Sequence, residues 1–213
     1  MSDRASILNR IQNALRTSAV RPPEPSPKPV FPPIAPSGLI SHLERELQAL
    51  KADFHLSPDW NDAHAWLKQT ADQHELRRVV TSPEVDAVEA GRNLNARTLT
   101  GDNDCGGHLA DVDLGITTCD CVVARTGSVV LTPQSGFGRA LSILPPAHLV
   151  VAHKSQVVTD LSDAYKLLQA RHGRNWPSMI TFITGPSRTA DIEKILVLGA
   201  HGPKKLFVLL LDF

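Results

Sequence analysis

Leu206-Phe-Val-Leu-Leu-Leu211 is an unbroken apolar run, and upstream of it lies a second segment of the same kind, Met179-Ile-Thr-Phe-Ile183. Strands that lack polar alternation are normally buried on both faces, as in parallel sheets covered by helices. Between the two runs stand Thr184-Gly-Pro-Ser-Arg-Thr-Ala-Asp-Ile-Glu193 and Leu198-Gly-Ala-His-Gly-Pro203. The whole reads as strand, Gly-Pro break, polar helix start, Gly stop and last strand. Ser187 or Thr189 is placed to cap that helix, with Asp191 and Glu193 in its first turn. The N–H groups of a helix start attract anions, and Arg188 beside them adds a planar donor fork suited to carboxylate or phosphate.

Working upstream, the pattern alternates. His148-Leu-Val-Val-Ala152 is β-rich and Asp160–Arg171 is helical. Cys121-Val-Val-Ala-Arg125 and Ser128-Val-Val-Leu131 are strands joined at Thr126-Gly127, a hairpin by composition. Further back, helical spacing over 39–50 and 59–71 alternates with short strands at 53–56, 78–81 and 97–100, and Ser82-Pro83 opens a helix with Pro in its first position. The expected fold is α/β: a mostly parallel sheet flanked by helices, with a β-rich hairpin insertion.

The N-terminal part differs. Ile7, Leu8, Ile11, Ala14 and Leu15 recur at helical spacing, and Arg21–Pro36 then holds eight prolines in sixteen residues. Such a stretch is neither helix nor central strand; it is an extended arm. Residues 1–37 are therefore set apart as a helix and Pro-rich arm, a spacer or a docking strap, and 38–213 as a single α/β domain.

Composition narrows the function. The chain has 213 residues, with 22 Lys+Arg balanced by 22 Asp+Glu. Zero net charge argues against general binding to nucleic acid or membrane surfaces. No stretch approaches the ~20 apolar residues of a membrane span, and the N-terminus has no signal-like apolar core. Cys105, Cys119 and Cys121 are too few for a disulfide framework or a four-thiolate cluster, so no metal is assigned and a reduced, cytoplasmic setting is expected.

Three loops are candidates for ligand contact. Thr126-Gly-Ser128 offers two hydroxyls on a flexible turn. Thr132-Pro-Gln-Ser-Gly-Phe-Gly-Arg139 follows a strand and precedes a short helical run, Ala140–Leu144. There, Gly136 and Gly138 permit close backbone approach and Arg139 supplies a cation. The third is Gly185-Pro-Ser-Arg-Thr189, with Arg188 as the cation. The candidate anion-binding set is thus Thr126, Gly127, Ser128, Gly136, Gly138, Arg139, Gly185, Ser187, Arg188 and Thr189. Acid–base candidates are Asp191, Glu193 and His201. Each loop also has a plain structural reading as a turn or cap.

Taken together, Gly115-Ile-Thr117, Thr126-Gly-Ser128, Gly136-Phe-Gly-Arg139, Leu144-Pro-Pro-Ala-His148 and the 180–203 segment resemble the LUD-domain family, in its lactate utilization protein C branch. The resemblance is close from about Asp111 onward. It implies a fold similar to the NagB/RpiA/CoA-transferase group and a part in oxidising L-lactate to pyruvate. It further implies iron–sulfur clusters carried by partner proteins, with no cofactor bound by this chain. Two function classes follow. One is a non-redox component that binds a small carboxylate or supports the complex. The other is a stand-alone enzyme on a phosphorylated or thioester substrate, like the sugar-phosphate isomerases, CoA-transferases or formyltetrahydrofolate cyclo-ligases.

Overall fold

In the computed structural model, Leu206, Val208 and Leu210 join one buried cluster while Phe207, Leu209 and Leu211 join another. One strand thus feeds two cores, as its unbroken apolar sequence requires. The structure describes residues 3–16, 31–99, 109–135, 140–192, 195–198 and 202–213.

The chain packs as two units, Met1–Pro33 and Ile34–Phe213. The first contains the helix α1 (Asp3–Arg16), which buries no residue. In the second, β1 (Asp53–Ser57), β2 (Val79–Thr81), β3 (Arg97–Thr98), β4 (Leu114–Thr117), β7 (Ala147–His153) and β12 (Lys205–Leu211) form a six-stranded sheet in the order β1-β12-β7-β4-β2-β3. All of its pairings are parallel.

Helices α3 (Trp60–Gln73) and α4 (Val85–Gly91) cover one face, where Ala63, Leu67 and Ala87 meet Phe207, Leu209 and Leu149. On the other face lie α2 (Leu39–Ala49) and a four-stranded sheet of order β8-β5-β6-β9. These strands are β5 (Cys121–Val123), β6 (Ser128–Leu131), β8 (Val157–Val158) and β9 (Thr181–Ile183). Leu43 and Leu47 of α2 are fully buried there beside Val208 and Val129. Each such leucine contributes about 1.5–3 kcal/mol. The outer face of the small sheet packs Cys121, Val123 and Val130 against Ala164 and Leu168 of α5 (Leu161–His172). The layers therefore run helix, sheet, sheet with α2, helix.

Local chemistry sets the helix starts. The Asp59 carboxylate accepts the Asp62 N–H at 2.9 Å to begin α3, and Asp160 forms a capping box with Asp163 at α5. Such caps are worth about 1 kcal/mol each.

Four expectations are corrected. No helix opens at Ser187: β10 (Arg188–Ile192) and β11 (Ile195–Leu198) pair antiparallel, with Arg188 opposite Leu198 and Thr189 opposite Val197. Thr189, Ile192, Ile195 and Val197 are β-branched and stiff at χ1, which favours the strand. No helix starts there for Ser187 or Thr189 to cap, and Asp191 stands in a strand. Second, Ala140–Leu144 makes one turn, closed by the Leu144 N–H on the Ala140 carbonyl at 2.8 Å, before Pro145-Pro146 forbids continuation. Third, α4 begins at Val85 with Glu84 as its cap, so Pro83 precedes the helix. Fourth, β9 is an edge strand, half-buried rather than covered on both faces.

Candidate functional site

Two of the three sequence-predicted loops meet at the carboxyl end of α2. Gly127 and Gly185 both have positive φ, 60° and 82°. A Cβ on Gly127 would stand 2.9 Å from Leu50 Cδ1 and 3.2 Å from the Glu46 carbonyl carbon; one on Gly185 would stand 3.0 Å from Leu50 Cβ. Both turns are thus pressed against the last turn of α2, which only glycine permits. A hydroxyl chain links them: Thr126 Oγ1 to Ser128 Oγ at 2.7 Å, and Ser128 Oγ to Thr184 Oγ1 at 2.8 Å.

The loop before β12 joins this corner. The Ser187 N–H donates to the Pro203 carbonyl at 2.8 Å. The Arg188 guanidinium donates to the Leu50 carbonyl, which closes α2. Arg188 therefore sits at a helix carboxyl end, where a cation is favourable, and not at a helix start. Hydroxyl donors and one guanidinium in a partly exposed corner have the chemistry to hold a carboxylate. The side chains of Thr189 and Asp191 are not described, and Gly136, Gly138, Arg139, Glu193 and His201 lie outside the described residues.

The approach to the Gly-rich segment is anchored by a residue that sequence reading passed over. Asp120, almost fully buried, accepts from the Thr132 N–H at 2.8 Å, Ser135 Oγ at 2.6 Å and Arg171 Nη1 at 2.9 Å. Thr118 Oγ1 adds a bond to the Ser135 carbonyl at 3.0 Å. This carboxylate ties Thr132 and Ser135 to Arg171 at the end of α5. Arg125 likewise ties the 124–127 turn to α5 by donating to Asp160 at 2.6 Å.

A second missed residue is His148, on β7. It is fully buried, Nε2 lies 2.9 Å from Thr117 Oγ1, and Nδ1 has no partner among the described residues. Burial pushes its pKa down to about 3, so the ring is neutral. The available signal was a histidine at the head of an otherwise apolar strand, where a buried polar group demands a partner. Two of the family-like segments, Gly115-Ile-Thr117 and Leu144–His148, are joined through this bond.

Cys119 and Cys121 are buried and flank Asp120. Burial raises both thiols, Cys121 to about 12, so they pack as small apolar side chains. Among the described residues, no group of three or more His, Cys, Asp or Glu is placed to hold a metal ion, and no helix is long and apolar enough to cross a membrane.

Comparison with known proteins adds the following. The LUD domain family model matches residues 40–211. Lactate utilization protein C of Halalkalibacterium halodurans is 31% identical over 225 residues, covering 94% of this chain and 94% of its own. The protein of that name from Oceanobacillus iheyensis is 26% identical over 92% of this chain and 91% of its own. Lactate utilization protein C 1 of Bacillus mycoides reaches 41% identity over 102 residues, 47% of this chain and 44% of its own. In structure, a DUF162 family protein from Deinococcus radiodurans superposes with a TM-score of 0.64 at 22% identity, covering 84% of this chain and 99% of that one.

Proposed function

The chain belongs to the LUD domain family, and from that premise we propose that it is a non-redox component of an L-lactate utilisation system. In this reading it works beside iron–sulfur partner proteins that carry the electrons from lactate to an acceptor. The observation that carries it is the alignment to lactate utilization protein C over 94% of both chains at 31% identity.

The part assigned to this chain is to hold a small carboxylate and to support the complex. The corner made by Thr126, Ser128, Thr184 and Arg188 is one place where hydroxyls and a guanidinium converge for it.

The test is genetic. A deletion strain is grown on L-lactate as sole carbon source, with the wild-type gene returned as control. Growth is expected to fail on lactate alone and to recover with the gene. Undiminished growth of the deletion strain would sink the reading and move a stand-alone enzyme forward. A thermal-shift panel of sugar phosphates, CoA esters and folates then examines that second possibility.

A further inference from the structure

The two outer strands of the main sheet differ in how they meet the surroundings. β3 is two residues long and begins with Arg97, a short charged edge of the kind that resists pairing. β1 is five residues long and carries none of the usual shields: no proline, no lysine and no break in its register with β12. Its one carboxylate, Asp53, stands at its start.

The pairing with β12 shows which backbone groups of β1 are spare. The Asp212 N–H donates to the Ser57 carbonyl at 2.9 Å. Backbone groups alternate sides along a strand, so Asp53, His55 and Ser57 turn theirs to β12, while Phe54 and Leu56 turn theirs outward. Among the described residues, the outward N–H and C=O groups of Phe54 and Leu56 have no partner. Beside this edge, on the α2 face, lies a groove of about 570 Å³ lined by Ile40, Phe54 and Leu56 together with Glu44 and Lys154. Leu56 is 38% exposed there.

An occupant must therefore bring an extended backbone and apolar side chains on the α2 face. A second copy of β1 brings both. Run antiparallel about a twofold axis at His55, Phe54 of each copy stands opposite Leu56 of the other. These are the two residues with spare groups, so both symmetric pairs close as hydrogen-bonded pairs. Phe54 then packs on the opposite Leu56 and the groove is covered. Asp53 falls opposite Ser57, so no like charges meet. The two His55 rings come together at the axis on the α3 face, each stacked on Trp66 and held by Asp62 Oδ2 at 2.6 Å. A slip of one residue would set Phe54 opposite His55, whose backbone groups already serve β12, and forfeit the bonds.

We propose that β1 is a homodimer interface, pairing two chains antiparallel about a twofold axis at His55 and joining their six-stranded sheets into one. This interface goes beyond the lactate reading and does not depend on it.

The test is analytical ultracentrifugation of the full chain between about 1 and 100 µM, where a mass of two chains is expected at the upper end. Leu56→Lys puts an ammonium against the opposite Phe54 at both symmetric positions and should raise the dimer dissociation constant at least about ten-fold. Val85→Lys, at a position 82% exposed on α4, should leave it unchanged. His55→Cys reads the register. Opposite residues in a non-hydrogen-bonded pair lie about 4.5 Å apart at Cα, within disulfide reach, so mild oxidation should link two chains at position 55, located by mass spectrometry. In the wild-type dimer the Phe54 and Leu56 amides should resist hydrogen exchange, and the Phe54 amide should lose that protection in Leu56→Lys. Circular dichroism checks that each variant is folded. A wild-type chain that stays monomeric at about 100 µM overturns the proposal. So does a dimer that Leu56→Lys leaves intact, which places the interface elsewhere. A folded His55→Cys chain that dimerises without forming the link overturns the register, and growth beyond two chains overturns the closed twofold.

Discussion

The guanidinium of Arg188 on β10 donates to the carbonyl of Leu50 at the end of α2, across 138 positions of sequence. One side chain thereby fastens the β10–β11 hairpin to the helix that covers the main sheet. The same carbonyl end is packed by Gly127 and Gly185, so three sequence-distant segments share Leu50 as their meeting point.

Arg188→Ala should therefore cost about 0.5–1 kcal/mol, the worth of an exposed bond at a helix carboxyl end. That is a fall of roughly 1–4 °C in Tm for a chain of this size, measurable by calorimetry. If Arg188 also holds a carboxylate, the folded variant should fail to restore growth on L-lactate. Full rescue by a folded Arg188→Ala chain would confine this residue to capping.

Gly127→Ala and Gly185→Ala should each cost about 1–3 kcal/mol, since both combine positive φ with a crowded Cβ. Both new methyl groups push on Leu50, so the double variant should depart from additivity. Chemical denaturation of the two single variants and the double variant checks this. A loss in the double equal to the sum of the singles would show that the turns press on α2 independently.

Stability should fall in acid because of His148. Its folded pKa is depressed to about 3, whereas an unfolded histidine titrates near 6.5. Between those values the unfolded chain holds a proton that the folded chain refuses. The contribution is therefore fully present above about pH 6.5 and drains away as pH falls towards 3, at about 1.4 kcal/mol per pH unit well inside that window. Denaturation at pH 7, 6 and 5 should show this slope, and His148→Gln should flatten it. A His148 imidazole resonance that titrates near pH 6.5 in the folded protein would refute the burial argument.

Much of the sheet was legible because its strands announce themselves. The 206–211 run of β12 is apolar throughout and 149–152 of β7 likewise, and Asp59 and Asp160 mark helix starts by residue type. The hairpin at 121–131 followed from two β-branched runs around Gly127. The 185–198 segment misled because Gly-Pro followed by Ser-Arg-Thr-Ala-Asp has the composition of a helix start. Its strand state depends on a partner, Ile195–Leu198, and on β-branched residues whose preference shows only when paired. The corner around Leu50 was half visible: the glycine turns and Arg188 were picked out, but the helix end that unites them was not. The Thr117–His148 bond depends on β4 lying beside β7, a register that no local pattern encodes.

Among the described residues, the edge strand β1 has β12 as its sole neighbour in the sheet, Phe54 beside Val208 and Leu56 beside Leu210. During synthesis, α2 and β1 leave the ribosome long before the segment that receives them. Their apolar faces must stay unsatisfied while everything between is made, and closing so long a loop is slow. The interval is a window for chaperone capture or for mispairing of β1 with a strand from another chain.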